Sequence, residues 1–232
     1  MKRSLPLSDI HVHIDWKRNE ETIDKVVDKL NTMFDSVNYD SIALQSVPLT
    51  ADREGDVDYL QNLKVLYAKR RLPQRVYAFA GLIHCEEKRE NTAESYLKQA
   101  EFYMHAGFDG IKMLEGRPYE HKYLDRALDD PCYDLFYEYL EKNEVPVVIH
   151  VGGPEHFWDR NRVDQWVIDR GWFIDENYPT LEQLYGEMDC VLAKYPKLRM
   201  VLAHFYFISP YIERAAEVDR KSTRLNSSHR IR

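Results

Sequence analysis

The sequence predicts an α/β protein built on a parallel sheet or barrel, and three observations carry that prediction. Short apolar runs rich in β-formers alternate with longer segments whose apolar residues recur at helical spacing, six times in succession. The run from Val76 to Ile83 is apolar almost throughout, as expected of a strand covered on both faces. The chain's 232 residues are enough for one sizeable α/β domain.

The first strand is Ser8-Asp9-Ile10-His11-Val12-His13-Ile14-Asp15. Alternate side chains of a strand share a face, so His11 and His13 point the same way, while Ile10, Val12 and Ile14 enter apolar packing. From Glu20 to Phe34, Ile23, Val26, Val27, Leu30 and Phe34 form one apolar stripe of a helix. Ser41 to Val47 is the second strand, ended by Pro48. Asp56 to Arg71 is a helix with Leu60, Leu63, Leu66 and Tyr67 on one side. After the third strand, Asn91 opens a helix with Glu94 three residues on, the spacing of a capping box, and Gly107 ends it. Gly110 to Leu114 is the fourth strand. Asp130-Pro131 pairs an N-cap with proline at the first helical position, and that helix reaches Asn143. Pro146 to Val151 is the fifth strand, Thr180 with Gln183 caps a helix to Lys194, Leu198 to Ala203 is the sixth strand, and Ser209-Pro210 opens a last helix.

Two segments, Gly116 to Leu128 and Glu155 to Pro179, exceed simple connections. The second holds Phe157, Trp158, Trp166, Trp172 and Phe173 with Arg160, Arg162 and Arg170. Loops after strands are where barrel enzymes build pockets, so a substrate lid is one reading. A small core internal to the loop and a dimer contact are the others.

Composition narrows the function classes. A hydrophobic fraction of 44%, with 16 Tyr and 4 Trp, belongs to a chain with a packed core. No apolar run approaches the roughly 20 residues that span a bilayer, and the first residues lack the apolar stretch of a secretory signal, so a cytoplasmic protein is expected. The net charge of −7 argues against a nucleic-acid binder. A few arginines in a cleft still suit an anionic substrate. Cys85, Cys132 and Cys190 form no close pair and are expected to be reduced and partly buried. From Asp219 to Arg232 the composition turns abruptly basic and polar, and the stretch resembles the in-frame translation of a sequencing-library adapter. The expected division is therefore a domain over 1–218 and an artefactual tail over 219–232, with the native chain continuing differently past Val218.

Histidines stand at three strand ends: His11 and His13 on the first, His150 on the fifth and His204 on the sixth. Parallel strands in a barrel bring their C-terminal ends around one mouth, and imidazole is the commonest ligand of zinc-like ions. On these residues, together with Asp9-Ile10-His11-Val12-His13, Val148-Ile149-His150 and Tyr195 through His204, the chain resembles the amidohydrolase superfamily, within its group of metal-dependent hydrolases and non-oxidative decarboxylases. The resemblance implies a (β/α)8 TIM-type barrel, truncated here after about six strands. It implies His11, His13 and His150 as ligands of a divalent metal, zinc before manganese and one ion before two. His204 would be the catalytic acid/base or a ligand of a second ion. The family's aspartate ligand and base, after an eighth strand, would lie beyond this sequence.

Asp9, one step deeper on the face of His11 and His13, is expected to bond a ligand imidazole. Lys112, on the fourth strand, is either a mouth lysine pairing with a carboxylate or substrate, or the carbamylated lysine that bridges two ions in some relatives. Arg117 has the chemistry to hold a substrate carboxylate by a two-pronged bond, its duller alternative being a surface pair with Glu115 or Glu120. Trp158 belongs with Arg117 and Lys112 among the candidate substrate-binding residues. His84 is a candidate pocket residue, while His105, His121 and His156 read as surface. Three functions stay open: a metal-dependent hydrolase of a C–N or C–O bond in a small carboxylated molecule, a metal-dependent decarboxylase of an aromatic or unsaturated acid, and an inactive fragment with exposed sheet edges. The partner is a small molecule, with no nucleic acid or membrane, and the native protein is a candidate homo-oligomer.

Overall fold

Six strands and eight helices make up the regular structure of the computed structural model, which describes residues 7–13, 23–37, 39–48, 60–85, 90–208 and 212–221. The strands are β1 (Ser8–His13), β2 (Ser41–Gln45), β3 (Val76–Gly81), β4 (Gly110–Gly116), β5 (Val147–Val151) and β6 (Met200–Leu202). The helices are α1 (Ile23–Val37), α2 (Leu60–Arg71), α3 (Ala93–Ala106), α4 (Pro118–Leu124), α5 (Asp134–Lys142), α6 (Gln165–Asp169), α7 (Leu181–Lys194) and α8 (Ile212–Lys221). The strand order follows the chain, β1 through β6, and every pairing described is parallel. The chain divides into two compact units, Met1–Glu86 with Lys98–Lys112 and Glu87–Leu97 with Met113–Arg232.

In the first unit, α1 buries the stripe its sequence announces, with Val26, Val27, Leu30 and Phe34 nearly inaccessible. Helix α2 departs from expectation. Leu60 and Leu63 are more than half exposed, and the buried face is instead Gln61, Asn62, Lys64, Val65, Leu66 and Ala68. The polar members are there to satisfy strand ends. Gln61 accepts the Val47 amide at 2.8 Å, and Asn62 brackets Gly81 through both backbone groups at 2.9 and 3.0 Å. Buried backbone needs such partners where a ladder stops. Between Asp9 and Val12 the register of β1 against β2 slips, three steps on one strand facing two on the other. That bulge breaks the simple alternation read from the sequence.

In the second unit, the core is Tyr133, Phe136, Tyr137 and Leu140 from α5 and the turn before it, with Leu184, Met188 and Val191 from α7. Asp130 does cap, but a 3-10 turn over Pro131–Tyr133 rather than α5 itself. Thr180 caps α7 by accepting the Gln183 amide at 3.1 Å. The cap of α3 is reciprocal between Thr92 and Ser95, at 2.9 and 3.2 Å, one residue later than the expected Asn91. The segment after β4, read from sequence as a loop, contains α4. Helix α8 runs through Lys221, past the expected boundary at 218. No helix among the described residues is long and apolar enough to cross a membrane.

Candidate metal centre

Each unit presents one pair of the sequence-predicted histidines. In the first, His11 and His13 project from the C-terminal half of β1, His11 half-buried and His13 exposed. Their Nε2 atoms stand 2.9 Å apart. Two ligands at zinc bond lengths in a tetrahedral shell are separated by roughly 3.3 Å, so the pair is close to chelating spacing. The tautomer of His13 supports this. Its Nδ1 lies 3.2 Å from the Gln45 carbonyl oxygen, which only accepts, so Nδ1 carries the hydrogen and Nε2 the lone pair. The Gln45 carbonyl therefore does for His13 what Asp9 was expected to do for a ligand imidazole. Asp9 instead accepts the backbone amide of His11 at 2.9 Å and the Tyr39 hydroxyl at 3.4 Å. Gln45 is fully buried, and its Oε1 has no hydrogen-bond partner among the described residues. Lys112, 1% exposed inside a wholly buried β4, sets its Nζ 3.2 Å from His11 Nε2. Two imidazole nitrogens thus face one another with the Lys112 ammonium beside His11; the imidazole pair is the kind of donor a divalent cation takes, and the ammonium has no lone pair to add.

In the second unit, His150 leaves β5 and His204 follows β6, their rings 4.8 Å apart and edge to face. Phe207 packs on both, at 5.3 and 5.1 Å. His204 begins a run of four non-glycine residues in the left-handed region, with φ of 57° at His204, 53° at Phe205, 59° at Tyr206 and 50° at Phe207. Such backbone is costly for L-residues and persists where packing over-determines it. Here Tyr206 is buried, and the Tyr185 hydroxyl donates to its carbonyl at 3.0 Å. The turn leaves His204 exposed beside His150. Among the described residues, no group of three or more His, Cys, Asp and Glu side chains forms a ready-made metal cluster. The histidines come together as two pairs.

The remaining candidates are placed as follows. Arg117, between β4 and α4, donates to Glu120 at 2.8 Å, and Glu120 is buried. Trp158 donates its indole N–H to the Pro179 carbonyl at 3.1 Å, and its ring lies over Gly153. The long segment after β5 packs on itself: Trp166 meets Phe157 and Trp172 edge to face, and the Arg170 guanidinium lies against both tryptophans. His84 is buried, His105 exposed on α3, and His156 half-buried against Phe157. None of the three cysteines is in a disulfide; Cys85 and Cys190 are exposed, against expectation, and Cys132 is half-buried.

His121 is the residue that sequence reading missed. It is buried on α4, with Nε2 3.0 Å from both carboxylate oxygens of Glu187 on α7. Its partner lies in another element, which no local spacing reports. Glu187 also accepts from the Leu128 amide and the Gln183 side chain, each at 3.0 Å. Burial pushes its pKa up, but these hydrogen bonds outweigh burial and hold the carboxyl below its ordinary range.

The amidohydrolase family model matches residues 8–223. The chain belongs to the amidohydrolase family. No curated protein matches this amidohydrolase in sequence. Among solved structures it is similar to an uncharacterised TIM-barrel protein from Bordetella bronchiseptica, with 15% identity over 88% of this chain and 59% of that one and a TM-score of 0.60. It is similar also to 4-oxalomesaconate hydratase from Rhodopseudomonas palustris, at 13% identity, 94% and 69% coverage and a TM-score of 0.58. A third is 5-carboxyvanillate decarboxylase from Novosphingobium aromaticivorans, solved with bound manganese, at 14% identity, 88% and 60% coverage and a TM-score of 0.54. The amidohydrolase chain thus spans about three fifths of the first and third of these. At such identities the likeness is one of fold, and the fold is of the TIM-barrel type.

Proposed function

We propose that the protein is a metal-dependent hydrolase acting on a C–N or C–O bond of a small carboxylated molecule. The observation that supports this most is the convergence of His11 and His13 Nε2 atoms, 2.9 Å apart, in a chain of the amidohydrolase family. In this reading His11, His13 and His150 hold one divalent ion, zinc or alternatively manganese. When bound, such an ion supplies Lewis acidity, polarising a carbonyl oxygen and acidifying a water. The chain's own groups do the rest. Gln45 orients His13 through its carbonyl. His204, exposed beside His150, moves the proton as acid/base. Lys112 pairs with the substrate, Arg117 meets a carboxylate while Glu120 anchors it, and Trp158 gives an apolar wall. The partner is a small molecule rather than nucleic acid or membrane, the setting is cytoplasmic, and a homo-oligomer is the candidate native state.

A second reading is a metal-dependent decarboxylase of an aromatic or unsaturated acid. It is favoured by the fold likeness to 5-carboxyvanillate decarboxylase. The test is to load the full-length protein with zinc or manganese and follow two signals side by side. These are acid or amine release from a panel of carboxylated lactones, esters and amides, and carbon dioxide release from hydroxybenzoates. Hydrolysis supports the first reading. Carbon dioxide release without hydrolysis replaces it with the second, and neither signal leaves the inactive-fragment reading standing.

A further inference from the structure

We propose that Gly116, the last residue of β4, is a positioning residue for His150, acting through Gly152 to fix the imidazole with its hydrogen on Nε2 and its lone pair on Nδ1. The inference rests on the proposed role of His150 as a ligand.

The space beside Gly116 is closed by β5. A Cβ built there would fall 2.6 Å from the His150 carbonyl oxygen, 2.9 Å from Val151 Cγ2 and 3.0 Å from Val151 Cα. Two of those three atoms are backbone of the strand that carries His150, so they yield only if β5 itself moves. Glycine lets the end of β4 lie flush against that backbone. The Gly116 carbonyl then accepts the Gly152 amide at 2.8 Å. Gly152 has φ of +75°, a conformation in which glycine is unstrained, and a Cβ on it would press to 2.8 Å from Leu181 Cδ2. The turn brings the Gly152 carbonyl back to 3.2 Å from His150 Nε2. A carbonyl oxygen only accepts, so Nε2–H is the donor, and the neutral ring keeps its lone pair on Nδ1.

The sequence of contacts is continuous: β4 backbone, Gly152 amide, Gly152 carbonyl, His150 ring. Packing of His204 and Phe207 on that ring restrains its rotation. A backbone carbonyl that orients a ligand imidazole is a familiar outer-shell device, and losing such a partner costs roughly 10–100-fold in metal affinity. Two glycines here set the carbonyl's position without any side chain of their own. His13 is held in the opposite sense, by its Nδ1 on the Gln45 carbonyl.

The experiment uses the full-length protein labelled with 15N-histidine, metal-free and at mildly alkaline pH, with ring nitrogens read by long-range proton–nitrogen correlation and His150 assigned by its loss in His150→Gln. The expected result is an Nε2–H tautomer for His150 and an Nδ1–H tautomer for His13. In Gly116→Ala the His150 pattern shifts or becomes mixed, and Co(II) affinity, followed by visible absorption, falls roughly 10–100-fold. The His13 pattern stays as in wild type. An Nδ1–H tautomer at His150 in the wild type overturns the proposal, and so does Gly116→Ala with unchanged tautomer and affinity. The wild-type spectrum decides alone if Gly116→Ala fails to fold. Failure of Co(II) to bind the wild type would refute the ligand reading, while the tautomer result would still decide whether Gly116 and Gly152 orient the His150 ring.

Discussion

Replacing Glu187 by alanine removes a buried carboxylate on which four hydrogen-bond distances converge, and the cost can be worked from them. The His121 imidazole, the Leu128 amide and the Gln183 carboxamide all donate to it at 3.0 Å. Hydrogen bonds to a charged group contribute about 1.5–3 kcal/mol each, and a buried donor left unpaired costs about 1–3 kcal/mol. These contributions overlap, because Gln183 reaches solvent while His121 and Leu128 do not. Removing one member of a buried pair costs about 3–5 kcal/mol by comparison with other proteins, and that is the loss expected for Glu187→Ala. Glu187→Gln keeps the volume and one acceptor, so its loss should be smaller, about 1–3 kcal/mol. Acid dependence gives an independent check. Glu187 has its pKa lowered in the folded protein, since its hydrogen bonds overcome burial. A depressed folded value means a stabilisation fully present above the ordinary glutamate value of 4.5 and lost as pH falls through the folded one. Urea unfolding followed by far-UV circular dichroism, at neutral pH and across the acid range, measures both. A loss under about 1 kcal/mol for Glu187→Ala, or equal acid sensitivity in wild type and Glu187→Gln, would refute the reasoning.

Two further outcomes follow from buried polar groups. Asn62→Ala strips the carboxamide from both backbone groups of Gly81 and leaves the Tyr103 hydroxyl with Gln99 alone, so thermal unfolding should show a loss of about 2–4 kcal/mol, against a near-neutral result if water replaces the carboxamide. Ser46→Ala removes a fully buried hydroxyl that has no partner among the described residues, so the melting temperature should hold or rise, and a clear drop would reveal an unrecognised bond.

The comparison of sequence with structure divides along physical lines. Strands were legible because a strand covered on both faces must be apolar, as Val76–Gly81 is, although Tyr77 in it is half exposed. Lys112 and Glu115 are the exceptions in β4, and the burial of Lys112 against His11 was not visible in a run whose other residues read as core. Helix caps were legible where the capping chemistry is local, as at Thr180. They slipped by one residue at α3, where Thr92 and Ser95 bond each other's amides. Helix α4 was missed because its buried face includes Glu120 and His121 rather than an apolar stripe, and their partners differ in kind. Glu120 pairs with Arg117 three residues away, while His121 pairs with Glu187 across 66 residues. The same cause explains α2. Leu60 and Leu63 face outward because Gln61 and Asn62 are needed inside to close strand ends. Periodicity reports where oil goes; it does not report which polar side chain a distant backbone group requires. At the candidate site the histidines were legible as strand-end residues. The bulge in β1, the Gln45 carbonyl behind His13 and the Gly152 carbonyl behind His150 were not, since each depends on backbone placement.

The most direct measurement of the central claim is a zinc titration of metal-free, full-length protein by calorimetry or dye competition, run on wild type and on His11→Ala, His13→Ala and His150→Ala. One ion per chain is predicted. Each substitution should weaken binding by more than the roughly 10–100-fold that loss of an outer-shell partner costs, with circular dichroism unchanged. Binding that is indifferent to all three substitutions, or no binding by the wild type, would contradict the assignment of these histidines as ligands.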